Sequence, residues 1–279
     1  MTEIRTFSRS ELEALAQRAL IAAGTAHAAA QSVARTLVQA EIDGKKGHGF
    51  FRVPSYAAQV RAGKIKGQAT PTARQTMPAG VMIDAGDGFA YPALDLAIEE
   101  LARIAPKTGI AAAGIARSHH AGALGLPVEK LADRGLLALA FANSFAAMSA
   151  WGGKRGVFGT NPLAFAAPRR GAPSLVVDMA LAKVARANIV SAMAKGETIP
   201  DDWAVDKDGR LTTDPKAAMA GLSLPTGGAK GAALALMVEV LAGALTGSAL
   251  AAEASSFLDD KGPPCNVGQL IIAIDPAAF

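Results

Sequence analysis

The chain has 279 residues, of which 51% are hydrophobic and 19% are charged, so a mainly disordered protein is excluded. This length allows one large domain, or two interleaved subdomains, with a substantial core. The only cysteine, Cys265, excludes an intramolecular disulfide framework and a zinc site made of several cysteines. The net charge of +4 comes from scattered basic residues without the basic, aromatic-rich stripe of nucleic-acid binders, so we expect no nucleic-acid partner.

Targeting and membrane segments are not expected. Residues 1–5 lead into a polar segment without an apolar core, so we expect no signal peptide and a cytoplasmic location. The most apolar stretch, residues 231–247, contains Glu239 and is shorter than the roughly 20 residues that a membrane span needs. We therefore expect a buried helix in this stretch and no membrane partner.

The N-terminal region is predicted to form two helices. Residues 8–11 have the sequence of a capping box, apolar residues follow at helical spacing, and Gly24 ends the helix. Thr25 is predicted to cap the second helix, which ends before Gly44. The glycine-rich residues 44–49 are predicted to form a loop.

The middle of the chain alternates between predicted strands and helices. Apolar runs predict strands over residues 81–83, 110–115, 136–142, 163–167, 175–177 and 268–275. The four runs between residues 110 and 177 are predicted to be buried on both faces. Helices are predicted from about residue 92 and over residues 126–134, 184–195 and 229–245. The alternation predicts an α/β or α+β fold, and the absence of a G-x-G-x-x-G motif after the first strand argues against a Rossmann site.

Among the four histidines, His48 has the most informative surroundings. It lies in the glycine loop, four residues before Arg52, and the two side chains would share one face if this segment were helical. A proton donor beside a fixed cation suits the reduction of a substrate that carries a carboxylate. The alternative is a histidine that stabilises the loop and a surface arginine. His27, which has no polar context, is predicted to be structural or exposed.

Four other segments are candidates for ligand binding, each with a simpler structural alternative. Residues 118–123 follow a strand and are small, so their amides could bind an anion such as a diphosphate. Thr160 lies in a turn, and Asp178 ends a strand, where ligands often bind but where a helix cap is equally reasonable. Lys230 precedes a predicted helix and could face a phosphate, or simply belong to a glycine turn. The adjacent histidines of residues 119–120 point in different directions, so no metal site is expected.

Taken in order, these motifs resemble those of one enzyme family. They are GHGxxRxPxY at 47–56, SHHxG at 118–122, GTNP at 159–162, DMA at 178–180, IPxxWxxD at 199–206 and GGxKG at 227–231. Together they resemble the type-2 malate/L-lactate dehydrogenases, which include sulfolactate dehydrogenases and Δ1-piperideine-2-carboxylate/Δ1-pyrroline-2-carboxylate reductases. The resemblance extends over essentially the whole chain.

The resemblance implies one catalytic domain over residues 1–279. Its α/β (α+β) fold is expected to differ from Rossmann's, with a central, largely antiparallel sheet flanked by helices and an N-terminal helical region. We expect a substrate-side region over residues 1–75, a cofactor-binding region over 76–250 and a return strand within 251–279. Relatives usually continue for several tens of residues, so their C-terminal tail, which contributes to the cofactor site, is expected to be absent.

The resemblance also implies roles for individual residues. His48 corresponds to the proton donor, Arg52 to the arginine that binds the substrate carboxylate, and Thr160 to a second substrate contact. The implied cofactor-binding residues are His120, Ala121, Gly122, Ala123, Leu124, Asp178, Met179, Ala180 and Lys230. The implied cofactor is NADP or NAD, with NADP favoured, and the implied partner is a second copy of the chain in a homodimer.

Two positions depart from the imino-acid reductases within the family. In those enzymes a serine precedes the catalytic histidine and an aspartate completes a proton relay, whereas this chain has Gly47 and Asn188. The expected function is nonetheless an NAD(P)H-dependent reductase that transfers hydride to C2 of a small cyclic imino acid. The alternatives are a dehydrogenase of 2-hydroxy acids such as malate or lactate, and a catalytically inactive homologue that binds the cofactor.

Overall fold

The computed structural model describes residues 5–279, and the first four residues, on which the expectation of no signal peptide partly depends, lie outside this range. The described chain contains eight α-helices: α1 (Arg9–Ala22), α2 (His27–Ile42), α3 (Val53–Arg61), α4 (Ala90–Thr108), α5 (Gly125–Ala132), α6 (Arg186–Lys195), α7 (Pro215–Ala220) and α8 (Ala229–Val238). Three short 3₁₀ helices cover Lys46–His48, Phe50–Arg52 and Pro276–Ala278, and a π-helix over Glu239–Ala244 continues α8. Every helix within residues 5–279 is too short or too polar to span a lipid bilayer.

The strands form two sheets. They are β1 (Thr72–Met77), β2 (Gly80–Asp84), β3 (Ile110–Ser118), β4 (Leu137–Ala142), β5 (Met148–Ser149), β6 (Gly156–Phe158), β7 (Leu163–Ala167), β8 (Leu175–Met179), β9 (Ala204–Val205), β10 (Leu222–Ser223) and β11 (Val267–Ile274). The larger sheet has seven strands in the order β1-β2-β3-β11-β4-β7-β8 and is antiparallel except between β2 and β3. The smaller sheet has the order β6-β5-β10-β9. The prediction of a largely antiparallel central sheet flanked by helices is therefore confirmed.

The main hydrophobic core lies between helices α1 to α5 and one face of the larger sheet. Helix α4 packs on β3, α5 packs on β4 and β7, and α2 packs on the outer side of α4. Fully buried side chains such as Leu37, Leu101 and Ile115 fill this layer. The opposite face of the sheet contacts the π-helix at β11 and β4.

The predicted helices lie within about two residues of observed ones except at one cap and after residue 238, and helices α3 and α7 were not predicted. Ser8 and Glu11 form the predicted capping box of α1, with the Ser8 hydroxyl and the Glu11 carboxylate each accepting a main-chain N–H of the other residue. Thr25 does not cap α2, whose N-cap residue is Ala26, so that prediction was wrong. The Thr25 side chain is instead buried, and its hydroxyl has no hydrogen-bond partner within residues 5–279. The helix predicted over 229–245 changes into the π-helix at Glu239.

The prediction that four strands are buried on both faces was wrong for β4, β7 and β8, whereas β3 is mostly buried. Strands β4 and β7 alternate between buried and half-buried residues, and in β8 the side chains of Leu175, Val177 and Met179 are exposed. Strand β8 lies at the edge of the sheet, and no described helix covers this face of it, so its apolar side chains face outward. A continuous apolar run therefore predicted the strand correctly, but it did not predict whether one or both faces of that strand are buried.

Candidate active site

His48 and Arg52 are brought together by two 3₁₀ turns rather than by one helix. The Arg52 Nε–H donates a hydrogen bond to the main-chain oxygen of Gly47 at 2.8 Å, which folds the guanidinium back beside His48. The two Nη atoms of Arg52 have no hydrogen-bond partner within the described residues. This leaves the fork of the guanidinium free to bind a carboxylate with two parallel hydrogen bonds.

The surroundings of His48 favour its neutral form. Burial is the main cause that lowers the pKa of its imidazole to about 4, and the positive charge of Arg52 lowers it further. Asp178 acts in the opposite direction, and Lys45 adds a smaller lowering effect. The buried Nδ1 atom has no hydrogen-bond partner in the described part of the chain. At neutral pH, His48 is therefore an uncharged imidazole that can accept a proton.

Asp178 lies near the C-terminal end of β8 and approaches the same site. Its Oδ2 atom lies 2.9 Å from Lys45 Nζ, in the segment just before His48. A Cβ on Gly125 would lie 3.1 Å from the Asp178 Cβ, so the start of α5 also approaches this carboxylate closely. The ion pair joins residues 133 positions apart and fixes the end of β8 against the histidine segment.

His120 lies beside His48 and is held by a tyrosine. The two imidazole rings are stacked with centroids 5.2 Å apart, and the Tyr56 hydroxyl lies 2.6 Å from His120 Nδ1. The Phe257 ring packs on His120 at a centroid distance of 4.5 Å. Burial holds the pKa of His120 well below its usual value, so this imidazole is also neutral at pH 7.

The loop of residues 120–124 fits a dinucleotide. It connects β3 to α5, and none of its main-chain N–H groups donates to an acceptor within residues 5–279. Gly122 has a φ of +72°, and a Cβ at this position would lie 2.6 Å from the Tyr91 hydroxyl, so glycine lets the loop approach the core. Unpaired amides at the N-terminal side of a helix are suited to bind a diphosphate.

Thr160 is placed beside the end of β8 by main-chain hydrogen bonds. Its N–H donates to the Ser144 hydroxyl at 3.1 Å, and its carbonyl oxygen accepts the Leu181 N–H at 2.8 Å. The next residue, Asn161, has a φ of +40°, and its side-chain amide donates to Glu239 at 2.8 Å. Thr160 is thus near Met179 and Ala180 in the strand and turn that carry Asp178.

Two candidate positions are not joined to His48 by any contact. Lys230, in the first turn of α8, and Asn188, in α6, are both exposed and make no side-chain hydrogen bond within the described range. Asn188 follows Ala187, which lines a mainly apolar cavity of about 600 Å³ together with Gly47, Phe50 and other residues. This cavity lies behind the 46–51 segment and is not lined by His48, Arg52 or His120.

Several polar residues that support the site had no sequence signal. The Gln59 Oε1 atom lies 2.8 Å from His119 Nε2, and the Gln59 amide donates to the main-chain oxygen of Phe257 at 3.1 Å. The Lys64 ammonium is buried and donates to two main-chain oxygens, those of Ser256 and Lys261. These bonds hold the loop that places Phe257 on His120.

The two adjacent histidines have different partners, as their adjacency in the sequence predicts. The hydrogen-bond partner of His119 is Gln59 and that of His120 is Tyr56, although both rings also pack against Tyr56 and Phe257. Within residues 5–279 there is no group of three histidine, cysteine, aspartate or glutamate residues arranged to hold a metal ion.

Comparison with known proteins assigns the chain to a family. The family model described as malate/L-lactate dehydrogenase matches residues 7–279. The chain belongs to the malate/L-lactate dehydrogenase family. This confirms the resemblance seen in the sequence motifs, and membership makes the chain an oxidoreductase.

Relatives within the malate/L-lactate dehydrogenase family differ in substrate. A (2R)-3-sulfolactate dehydrogenase (NADP(+)) of Chromohalobacter salexigens is 48% identical over 99% of this chain and 82% of the relative. A Δ1-pyrroline-2-carboxylate reductase of Pseudomonas fluorescens is 40% identical over 100% of this chain and 83% of the relative. The solved Δ1-piperideine-2-carboxylate reductase of Pseudomonas syringae superimposes with a TM-score of 0.93 at 38% identity and covers 98% of this chain and 82% of that one.

Proposed function

We propose that the chain is an NADP-dependent dehydrogenase that interconverts a small 2-hydroxy acid and the corresponding 2-oxo acid. The observation that carries this proposal is the neutral imidazole of His48 beside the free guanidinium fork of Arg52. A base next to a carboxylate-binding cation is suited to a substrate with a hydroxyl on the carbon next to its carboxylate.

The residues have separate tasks in the proposed reaction. The Arg52 fork binds the substrate carboxylate and so orients C2, while Thr160 supplies a second polar contact. In the oxidation direction His48 accepts the proton of the 2-hydroxyl as the hydrogen on C2 leaves with its electron pair. In the reduction direction His48 returns that proton to the oxygen. When bound, NADP supplies the acceptor or the donor of the hydride.

The main-chain geometry supports the binding of this cofactor. The unpaired amides of residues 120–124 would hold the diphosphate, and Asp178, Met179 and Ala180 form a second segment next to them. Lys230 is exposed at the start of α8, where a cation and helix amides can both face phosphate. NADP rather than NAD is supported by the relative that is 48% identical, which is named for NADP(+).

A 2-hydroxy acid is preferred to an imino acid on two grounds. Gly47 and Asn188 lack the hydroxyl and the carboxylate of the relay expected for imino-acid reductases. Furthermore, the sulfolactate dehydrogenase has a higher identity, 48%, than the pyrroline-2-carboxylate reductase, at 40%. 3-Sulfolactate is therefore the first substrate to test.

A cyclic imino-acid reductase is the second candidate. It is supported by the TM-score of 0.93 with the Δ1-piperideine-2-carboxylate reductase of Pseudomonas syringae. A cyclic imine can arrive already protonated, so its reduction needs less from His48 than the reduction of a keto acid does.

A substrate panel tests both candidates. Purified protein is mixed with NADP⁺ and 3-sulfolactate, malate or lactate, or with NADPH and 2-oxo acids or Δ1-pyrroline-2-carboxylate, and absorbance at the NADPH band is followed. We expect the highest kcat/KM with 3-sulfolactate, and NADH serves as the cofactor control. Turnover of the cyclic imines alone would favour the second candidate. NADPH fluorescence changes without any turnover would identify an inactive homologue that binds the cofactor.

We also propose that the chain forms a homodimer. Leu236, Met237 and Val240, on α8 and the π-helix, are each at least half exposed, an unusual state for neighbouring large apolar side chains. A stable dimer buries about 800 Å² on each partner, and such a surface is a natural part of it. Sedimentation velocity at micromolar concentration should show a dimer, and Met237→Glu should weaken it. A stable wild-type monomer would contradict the proposal.

A further inference from the structure

Two tyrosine hydroxyls and one imidazole nitrogen form a buried chain of hydrogen bonds behind the active site. The Tyr91 hydroxyl lies 3.0 Å from the Tyr56 hydroxyl, which lies 2.6 Å from His120 Nδ1. All three side chains are buried, and the His120 ring stacks on His48. The direction in which the protons point along this chain determines which nitrogen of His120 carries a hydrogen.

Only one direction gives every proton an acceptor. If Tyr91 donates to Tyr56 and Tyr56 donates to His120 Nδ1, both hydroxyl protons are paired. In the opposite direction His120 Nδ1–H donates to Tyr56 and Tyr56 donates to Tyr91, so the Tyr91 proton has no acceptor within residues 5–279. A buried donor without a partner is unfavourable, and therefore the first direction is the stable one.

The charge states of these groups are consistent with this direction. Burial raises the pKa of Tyr56 to about 12, so its hydroxyl keeps its proton at neutral pH. Burial also holds the pKa of His120 well below its usual range, so its imidazole carries one proton. If Nδ1 is an acceptor, that proton is on Nε2. Nε2 makes no hydrogen bond with any described residue, and the ring packs against the rings of His48 and Phe257.

We propose that His120 presents a fixed Nε2–H donor to a carbonyl-type oxygen of the bound ligand, and that Tyr56 is the positioning residue that sets this tautomer. The oxygen can come from the carboxamide of the nicotinamide or from the oxygen on C2 of the substrate. The identity of the ligand rests on the proposed function, whereas the tautomer does not. His120 then has a role beyond lining the dinucleotide loop.

The tautomer is tested directly by nitrogen-15 NMR of the imidazoles in the protein without substrate. Only four histidines contribute signals, and His120→Gln identifies those of His120. We expect His120 in the wild-type protein to be the Nε2–H tautomer at neutral pH. A wild-type spectrum with the Nδ1–H tautomer would overturn the proposal, whether or not the protein has the proposed activity.

Two matched variants test the role of Tyr56. Tyr56→Phe removes the donor to Nδ1, so that no protein hydrogen bond fixes the tautomer of His120, whereas Tyr91→Phe removes an equivalent hydroxyl but leaves the bond to His120 intact. We expect Tyr56→Phe to lower kcat/KM about 3- to 10-fold and Tyr91→Phe to change it by less than about twofold. A structural role alone would affect both variants in proportion to their loss of stability, which urea unfolding measures.

The kinetic constants of Tyr56→Phe distinguish the two sources of the oxygen. A higher KM for NADP⁺ with an unchanged KM for the hydroxy acid would assign the donor to the nicotinamide carboxamide. A lower kcat with an unchanged KM for NADP⁺ would assign it to the oxygen on C2, where negative charge develops. Wild-type kinetic constants in Tyr56→Phe would overturn the role assigned to Tyr56.

Discussion

The histidine cluster, which consists of His48, His119, His120 and the side chains bonded around them, differs from the region of α6 and α8 in how its polar side chains are bonded. In the cluster, His120, Gln59 and Lys45 each have a protein partner within hydrogen-bond distance. In the other region, Asn188 and Lys230 are exposed and make no side-chain hydrogen bond within residues 5–279. In the proposed reaction the neighbours of His48 are held by bonds within the protein, so we expect substitutions there to have larger effects than those at α6 or α8.

Removal of His48 is expected to have the largest effect. A general acid or base contributes about 10²- to 10⁴-fold, so His48→Ala should lower kcat by a factor in this range. Reduction of a keto acid should lose more than reduction of a cyclic imine, because the imine can arrive protonated. Steady-state kinetics with both substrate types measures this difference, and NADPH binding followed by fluorescence should be unchanged.

The exposed His27 provides the control for this variant. It lies in the first turn of α2, outside the cluster, so His27→Ala should leave kcat unchanged. If His48→Ala kept wild-type rates on both substrate types, His48 would be only a loop residue. The proton would then come from water or from another side chain.

Replacement of Arg52 by lysine is expected to have the next largest effect. The Arg52 Nε–H is already bonded to Gly47, and an ammonium cannot both keep that bond and present a fork to a carboxylate. We expect Arg52→Lys to lower kcat/KM by about 2–4 kcal/mol in transition-state stabilisation, while the affinity for NADPH hardly changes. Arg61→Lys, on the exposed last turn of α3, is the matched control, and unchanged kinetics in Arg52→Lys would remove the substrate-binding role.

The buried lysine behind the cluster gives a prediction about stability. Lys64→Met leaves two main-chain oxygens of the 256–261 loop without a donor and also removes an ion pair with Asp259, so the free energy of unfolding should fall by about 2–3 kcal/mol. Lys66→Met, two residues later, breaks only an exposed ion pair with Asp87 and should cost less than about 1 kcal/mol. Urea unfolding measures the free energy of unfolding of both variants. Equal decreases would show that the buried bonds of Lys64 contribute no more to stability than the exposed ion pair of Lys66.

The fold could be predicted from the sequence where the signal was local. The capping box at Ser8 and Glu11 involves neighbouring residues, and the start of α1 was therefore correct. Strand β1 was missed because its six residues are all exposed and mostly polar, so it has no buried face to produce an alternating pattern. The exposed side of β8 could not be predicted either, because coverage of a sheet face depends on the packing of distant helices.

The candidate site, like the fold, could be predicted only where its residues lie close together in the sequence. His48 and Arg52 were found because they lie in one short motif, and His120 because it follows a strand. The bond from Tyr56 to His120 joins residues 64 positions apart, and the Lys45–Asp178 pair joins residues 133 positions apart. No periodicity or spacing connects such pairs, so the supporting bonds required the structure.

The smallest effect is expected at Asn188, where the family relay would have a carboxylate. His48 has a pKa of about 4, and it must be protonated to give a proton in keto-acid reduction, so that activity is lost as pH rises through this pKa. An added negative charge favours the protonated form of His48, so Asn188→Asp should raise the apparent pKa at which keto-acid reduction is lost. Because residue 188 is exposed, water screens the charge, and we expect a shift of less than about 0.5 unit.

Lys45 supplies the comparison for this small shift. Lys45→Met removes a charge that lowers the pKa of His48 and also frees Asp178, which raises it. Both changes act in the same direction and from within the cluster, so the apparent pKa should rise more than in Asn188→Asp. The pH dependence of kcat/KM for keto-acid reduction in the two variants measures this order. A larger shift in Asn188→Asp would mean that α6 approaches His48 when substrate is bound, and the contrast between the two regions would no longer hold.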